Sequence, residues 1–256
     1  MSKMQADTQI TDVAEYALAL GDDALVLGQR LCEWCADAPL LEEDIAIANV
    51  GLDYLGRARM LLQYAGETLG QSEDELAFLR DAPGFRNLLM VELPRGDFAF
   101  SQVRHYLLDE FESLFFAGLK QSSDPTLAGI AAKTDKEVRY HLRRSTQWMR
   151  RLAMGTQESH DRTQKALDEL WGYVAEFFIL TEIEERLLAD NISVDRRNLE
   201  PQFKTSVGTL FDEIGLIQPS DDWKVVGGRL GQHTEHLGPM LGEMQFMQRT
   251  YPGLEW

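Results

Sequence analysis

The sequence has little cysteine, few basic residues and no long apolar run. Its 256 residues include 25 Lys and Arg against 42 Asp and Glu, which gives a formal net charge of −17 at pH 7. Because no Lys/Arg-rich block offsets this charge, the long-range field repels nucleic acids and anionic membrane surfaces. We therefore expect no nucleic acid and no membrane among the partners.

The absence of a long apolar run also bears on location. No run approaches the roughly 20 residues that a membrane-spanning helix needs. The N-terminal residues MSKMQADTQITDVAEYALAL lack the charged-then-apolar pattern of a secretion signal. We therefore expect a cytoplasmic protein.

Cys32 and Cys35, in RLCEWCADAP, are the only two cysteines. A zinc site needs four ligands, and no second pair exists. A thioredoxin-type pair lies where a strand gives way to a helix, whereas this pair lies near the end of a long helical pattern. The sequence therefore predicts that both thiols are small hydrophobic residues of the core.

Strand-like alternation is absent, and apolar residues recur at the spacing of three and four that is typical of helices. Four long helices are predicted at about residues 11–37, 40–70, 98–121 and 125–154. Asp124 is the expected N-cap of the fourth, and Pro125 lies in its first turn. The longest connection, 71–97, is rich in proline and glycine.

Two short-looped helix pairs joined by one long connection are typical of the ferritin-like four-helix bundle. Further helices are predicted at about residues 158–189, 201–216 and 229–250, and no flexible linker separates them from the bundle. We therefore predict an all-α fold with a single ferritin-like domain over residues 1–256. Its core bundle spans about 11–155, and accessory helices span about 158–250.

Ferritin-like bundles commonly hold two metal ions through one Glu on each of two helices and Glu-x-x-His on each of the other two. None of the five histidines here follows an acid at that spacing. In KEVRYH, Tyr140 lies three residues after Glu137, and His141 comes one residue late. On the second helix, Asp53 is followed at that spacing by Gly56, which has no ligating side chain. The sequence therefore predicts no catalytic, cofactor-binding or metal site in this chain.

The predicted inner helix faces nevertheless include polar residues. The candidates for a polar core in place of metals are Asp23, Arg30, Asn49, Asp53, Asp109, Glu137, His141 and Arg144, although periodicity alone does not choose between Asp109 and Glu110. A buried charge is costly unless it is paired, so Arg30 and Arg144 are expected to neutralise the acids. The alternative is that these side chains reach water at the edges of the apolar stripes.

HTEH, residues 233–236, places two histidines three apart. It is not the HExxH motif, and no third metal ligand is identifiable. We expect a helix start that packs against the bundle or a partner, with the methionines that follow it providing an adaptable contact surface. A metal site is the alternative.

Five separated segments resemble, in order, the non-catalytic, ferritin-like PaaC-type component of the phenylacetyl-CoA ring epoxidase. The segments are LGDDALVLGQRLCEWC, IAIANVGLDYLGRARMLL, FLRDAPGFRNLLMVELPRGDFA, AAKTDKEVRYHLRRS and HTEHLGPMLGEMQFMQR. The resemblance runs almost end to end.

This resemblance implies a structural subunit of a bacterial multicomponent monooxygenase that epoxidises the aromatic ring of phenylacetyl-CoA in phenylacetate catabolism. It implies that a related partner subunit holds the di-iron centre and that a reductase supplies electrons from NADPH, while this chain has no cofactor. It also favours Asp109 over Glu110 and places Tyr140 where a metal-binding helix would have its histidine.

The implied partners are the catalytic di-iron subunit and the other epoxidase subunits. Large permanent interfaces are rich in apolar and aromatic residues, so Phe111, Phe115 and Phe116 are candidate contacts, with the intramolecular core as their alternative. In isolation we expect a homo-oligomer. Two other functions stay open: a free-standing di-metal oxidase with Asp53, Asp109, Glu137 and His141 as ligands, and a helical interaction module unrelated to oxygenases.

Overall fold

A computed structural model describes residues 3–254, with side chains from residue 8 onward. Within this range the chain forms eleven α-helices and no β-strand. The α-helices are α1 Lys3–Cys32, α2 Leu41–Leu69, α3 Glu73–Phe78, α4 Leu89–Glu92, α5 Phe98–Leu119, α6 Pro125–Ala153, α7 Gln157–Val174, α8 Glu182–Leu188, α9 Glu200–Ile214, α10 Leu237–Met244 and α11 Phe246–Thr250. Short 3₁₀ segments lie at Ala82–Gly84, Ala175–Phe178, Arg196–Leu199 and Gly228–Leu230. The prediction of an all-α chain is confirmed, and no helix in the described range has the length and apolar character needed to cross a membrane.

The bounds of the long helices α2, α5 and α6 agree with the sequence prediction to within two residues. Asp124 caps α6 as expected, because its Oδ1 accepts a hydrogen bond from the Leu127 N–H at 2.8 Å. The end of α2 is set by Gly70, whose φ of 70° is a left-handed conformation that glycine adopts without strain. The prediction for α1 extended too far, because turns begin at residue 33.

The chain divides into two compact units. One comprises residues 1–94 and 227–256, and the other comprises residues 95–226. The single ferritin-like domain over residues 1–256 stays a prediction.

The first unit is built on the hairpin of α1 and α2. Gly21 and Gly28 lie seven residues apart on α1, and both meet leucines of α2. A Cβ at Gly21 would lie 2.9 Å from Leu62, and one at Gly28 would lie 3.0 Å from Leu55. The two glycines therefore allow a close approach of the helices.

The second unit is built on the hairpin of α5 and α6, with α7 packed against both helices. Its aromatic cluster includes Phe111, Phe115 and Phe116, which are all at least 96% buried. Phe111 stacks on Phe177 at 4.8 Å between ring centroids. The prediction that these three phenylalanines form a partner surface is wrong, and their alternative, the intramolecular core, is what the structure shows.

The cysteines also depart from the prediction. Cys32 is half-buried at the end of α1, and Cys35 is exposed in the following turn. The prediction that both thiols lie in the core is therefore wrong. The helix ends before Cys35, so the helical periodicity that pointed both thiols inward does not extend to it.

Candidate functional site

The polar core candidates of the second unit lie on α5 and α6. Asp109 and His141 are buried, Glu137 and Arg144 are partly buried, and Gln102 and His105 are further buried polar residues of α5. The Arg144 guanidinium donates to Gln102 Oε1 at 3.4 Å, which joins the two helices. This cluster contains residues that the sequence predicted and two that it missed.

The electrostatics of this cluster keep His105 neutral. Burial is the largest cause that lowers the pKa of His105, and the positive charges of Arg104, Arg144 and His141 lower it further. Nearby positive charges disfavour protonation of an imidazole, because the protonated ring is also positively charged. The surroundings of His105 therefore favour the neutral imidazole.

The residues present do not fit a di-iron centre. Tyr140, at the histidine position of α6, is 46% exposed, and Glu137 forms an ion pair with Lys133 at 3.7 Å on the same helix. Gly56, at the corresponding position of α2, provides no ligand, and a Cβ there would meet no atom within 4 Å. Among the described residues, no group of three or more His, Cys, Asp or Glu side chains could hold a metal ion.

Of the two polar-core candidates on α1, Arg30 is 8% exposed and Asp23 is partly buried. Of the two candidates on α2, Asp53 is partly buried. Asn49 is exposed, so the prediction that it belongs to a polar core is wrong.

The buried face of α2 carries residues from the other side of the helix. They include Ile47, Val50, Tyr54, Leu61 and Ala65, which are all at least 97% buried.

Asp22 and Asp23 anchor the segment between α3 and α4. The Arg80 guanidinium forms an ion pair with Asp22, whose side chain is fully buried, and the Arg86 N–H donates to the same carboxylate at 2.9 Å. The Leu88 N–H donates to Asp23 Oδ1 at 2.7 Å. A loop with several main-chain groups facing the core is thus satisfied by two adjacent carboxylates of α1.

Arg229 connects the C-terminal segment to Asp23 of α1 and to the segment between α3 and α4. Its guanidinium pairs with Asp23 Oδ2 at 2.5 Å and donates to the carbonyls of Ala19 and Arg86 at 2.9 and 2.7 Å. The expected neutralisation of Asp23 by Arg30 is therefore wrong, because Arg229 takes that role.

Arg30 has different partners from those predicted. Its Nη1 forms an ion pair with Glu33 at 2.5 Å, and its Nε and Nη2 donate to the Glu92 carbonyl at 3.1 and 2.7 Å. Nη2 also donates to the His236 carbonyl at 3.2 Å. Pairing of Arg30 with Asp23, Asp53 or Glu137 is thus replaced by binding to main-chain carbonyls and to a neighbouring acid.

Glu92 and His233 form a buried ion pair. The Glu92 side chain is fully buried and that of His233 is 5% exposed, and the His233 Nδ1 lies 2.7 Å from Glu92 Oε2. The Nε2 lies 3.0 Å from the Phe85 carbonyl oxygen. Both partners are acceptors, so the imidazole satisfies both bonds only when both nitrogens carry protons.

The pKa values of this pair move in opposite directions. Burial alone would lower the pKa of His233, but the bonds to Glu92 and Phe85 and the charges of Glu92 and Asp22 outweigh it and raise the pKa. Burial alone would raise the pKa of Glu92, but hydrogen bonds from His233, Asn87 and Thr234 hold it below its ordinary value. The surroundings of the first histidine of HTEH therefore favour its protonated form.

Glu92 is a buried charged residue that the sequence does not identify as part of a polar core, although one local signal points to it. It lies in the apolar run LLMVEL, where an acid is out of place unless a cation meets it. Its partner is 141 residues away along the chain, and nothing local indicates which residue that is.

The widest apolar exposure on α2 lies outside its buried face. Leu41, Ile45 and Leu52 are 73%, 56% and 64% exposed, and their spacing of four and seven residues places them on one side of the helix. We call these three residues the α2 stripe. Acids flank it at Glu42, Glu43, Asp44 and Asp53.

Comparisons with known proteins agree with this architecture. A family model for phenylacetic acid catabolic proteins, PaaA/PaaC, matches residues 1–256. The C component of 1,2-phenylacetyl-CoA epoxidase from Escherichia coli (strain K12) is 47% identical over 248 residues, which cover 96% of this chain and 100% of that protein. These matches confirm the resemblance and the ferritin-like all-α fold predicted from the sequence.

Proposed function

The chain belongs to the PaaA/PaaC family of phenylacetic acid catabolic proteins, and we propose that it serves as a non-catalytic subunit of a multicomponent epoxidase. The proposed reaction is epoxidation of the aromatic ring of phenylacetyl-CoA, carried out in the cytoplasm by a related catalytic subunit. That partner holds the di-iron centre, and a reductase supplies electrons from NADPH. This chain carries no cofactor and supports its neighbour.

One observation carries the non-catalytic role. No histidine of the chain follows Asp or Glu at the spacing of Glu-x-x-His, the motif that supplies the imidazoles of a di-iron bundle. On α6, Tyr140 lies three residues after Glu137, and its side chain is 46% exposed. The buried cluster of α5 and α6 instead contains Arg144, a cation that repels a metal ion.

The α2 stripe is the surface that we propose for the catalytic subunit. Its two leucines and one isoleucine are exposed in this chain. Covering apolar side chains of this size with a partner removes them from water and stabilises the complex. The acids beside the stripe favour a partner whose apolar surface has a basic rim, since complementary charges steer association. A ferritin-like catalytic subunit with such a rim is the proposed occupant.

A second copy of the chain is a poorer occupant. It would bring a second acidic rim against the first, and each copy has a formal charge of −17. We propose that in isolation the chain still self-associates through the stripe, but more weakly than it binds the catalytic subunit.

Co-expression with the catalytic subunit, followed by size-exclusion chromatography, tests the surface. We expect the two chains to co-elute. The double variant Ile45→Glu with Leu52→Glu should abolish co-elution, whereas Ile217→Glu, a matched control at a residue that is 75% exposed in the second unit, should preserve it. Co-elution of the double variant at the wild-type ratio would reject the α2 stripe as the interface.

Full epoxidase activity of the catalytic subunit alone, with the two chains eluting separately, would reject the supporting role itself. The alternative of a free-standing di-metal oxidase predicts metal in the purified chain, so elemental analysis separates the two functions.

A further inference from the structure

Cys32 and Cys35 lie at the two ends of one tight turn. The Cys35 N–H donates to the Cys32 carbonyl at 3.1 Å, and residues 33–37 form turns between α1 and α2. Residues joined in this way have Cα atoms within about 7 Å of each other. Disulfides join cysteines whose Cα atoms are about 4.4–6.8 Å apart, so this turn brings the pair into the range that a disulfide needs.

Contacts on both sides hold the turn in place. Trp34, between the cysteines, is 5% exposed, and its N–H donates to the Leu31 carbonyl at 3.1 Å. Ala36, with a left-handed φ of 68°, donates its N–H to Asp44 Oδ2 at 2.6 Å. Because the turn is already ordered, closing a bridge across it costs little further conformational entropy.

The two thiols differ in access. Cys35 is exposed, so a dissolved oxidant reaches it directly. Cys32 is half-buried, and a Cβ at Gly51 of α2 would lie 3.9 Å from its sulfur. Burial, followed by the negative charges of Cys35 and Glu33, raises the pKa of the Cys32 thiol. Cys35 is therefore the first to react, and Cys32 follows.

We propose that Cys32 and Cys35 form a reversible dithiol–disulfide pair that reacts with low-molecular-weight disulfides, of which oxidised glutathione is the probe. The Cys35 thiolate attacks one sulfur of oxidised glutathione, which breaks that disulfide and releases one reduced glutathione. The Cys32 thiolate then attacks the Cys35 sulfur of the mixed disulfide and releases the second. Two protein thiols are oxidised, one glutathione disulfide is reduced, and the two thiol protons end on the two released glutathiones.

The position of the bridge gives it a consequence for α2. It would fix the turn that leads into Leu41, the first residue of the α2 stripe. The inference itself rests on the turn geometry and is independent of the proposed function.

Intact-mass analysis of the full-length chain tests the pair without ambiguity, because no other cysteine is present. The reduced protein is incubated with oxidised glutathione as wild type, Cys32→Ser and Cys35→Ser. We expect wild type to lose two hydrogen atoms and both titratable thiols without retaining glutathione. Cys32→Ser should retain one glutathione on Cys35, and Cys35→Ser should stay unmodified over the same time.

A stable glutathione adduct on wild type, two adducts, or no reaction would each overturn the proposal. Modification of Cys35→Ser as fast as Cys32→Ser would overturn the order of attack. Melting curves of the two variants, which we expect to match wild type, establish that their reactivity is that of the folded chain.

Discussion

Arg30 and Arg80, both in the first unit, bind different kinds of acceptor. Arg80 pairs with Asp22, whose side chain is fully buried. Arg30 donates to the carbonyls of Glu92 and His236, and its acidic partner Glu33 has a side chain that is 32% exposed. The two arginines therefore differ in what their removal leaves behind.

We expect Arg80→Met to reduce the free energy of unfolding by about 3–5 kcal/mol, because it leaves the buried Asp22 carboxylate without its ion-pair partner. Arg30→Met should cost about 1–3 kcal/mol, since it leaves main-chain carbonyls short of a donor while Glu33 regains water. Urea denaturation of both variants measures the difference. Equal losses would contradict the assigned pairings.

His233 predicts a pH dependence of stability. The folded state raises the pKa of His233 above its ordinary value of 6.5, so its stabilising contribution is complete below that pH and is lost as pH rises through the raised value. The groups facing the imidazole are Glu92, the Phe85 carbonyl and, through its charge, Asp22. Glu92 has a lowered pKa, so its contribution is lost only in acid, as pH falls below about 4.5.

We therefore expect the stability difference between wild type and His233→Gln to be largest near about pH 6 and to shrink toward about pH 9. Urea denaturation at several pH values measures it. A difference that stays constant over this range would mean that folding does not change the pKa of His233, and one that grows with pH would mean that the folded state lowers it.

The sequence predicts which residues lie on a buried helix face, because local spacing determines that. It does not predict which distant residues they pair with. Asp23 and Arg30 are identifiable as polar residues of the buried α1 face, because both lie in an apolar stripe. Their partners are not identifiable, because the cation that meets Asp23 is 206 residues away. Pairing at that distance is fixed by tertiary packing.

At the scale of elements, two helical glycines differ in the space around them. A Cβ at Gly172 of α7 would lie 2.3 Å from the Trp223 ring, which packs against the helix there, and the Gly172 carbonyl accepts from the Val225 N–H at 3.0 Å. A Cβ at Gly129 of α6 would meet no atom within 4 Å.

We expect Gly172→Ala to reduce the free energy of unfolding by about 1–3 kcal/mol, because Trp223 must move. Gly129→Ala is the matched control and should increase it by about 0.5–1 kcal/mol, because alanine is the better helix former. Chemical denaturation of both variants checks the signs. A stabilised Gly172→Ala would show that Trp223 does not pack on this helix.

Helix positions are predictable because caps, prolines and apolar spacing mark them locally. The orientation of α2 is not, because this helix has apolar residues on two faces. Ile45 and Leu52 fit helical spacing as well as Ile47, Val50 and Tyr54 do, and only the second set is buried. Periodicity identifies an apolar face but not what covers it, so it cannot distinguish the α2 stripe from the core face.

At the scale of the whole molecule, charge makes self-association and partner binding respond oppositely to salt. Two acidic copies repel each other, and salt screens that repulsion. A basic-rimmed partner is attracted, and salt screens that attraction as well. Raising the ionic strength should therefore increase homo-oligomer formation and weaken binding to the catalytic subunit.

Sedimentation velocity of the chain alone, and of the mixture, at low and high salt measures both effects. Binding to the catalytic subunit that strengthens with salt would contradict the charge complementarity proposed for the α2 stripe.

The most direct test of the non-catalytic role is the iron content of this chain, purified alone after expression in iron-replete medium, and of its complex with the catalytic subunit. We predict no stoichiometric iron in the chain alone. We also predict that the catalytic subunit contains the same amount of iron per copy whether or not this chain is bound to it. Close to two irons bound per copy of this chain, lost on substitution of Asp53, Asp109, Glu137 or His141, would contradict the non-catalytic role.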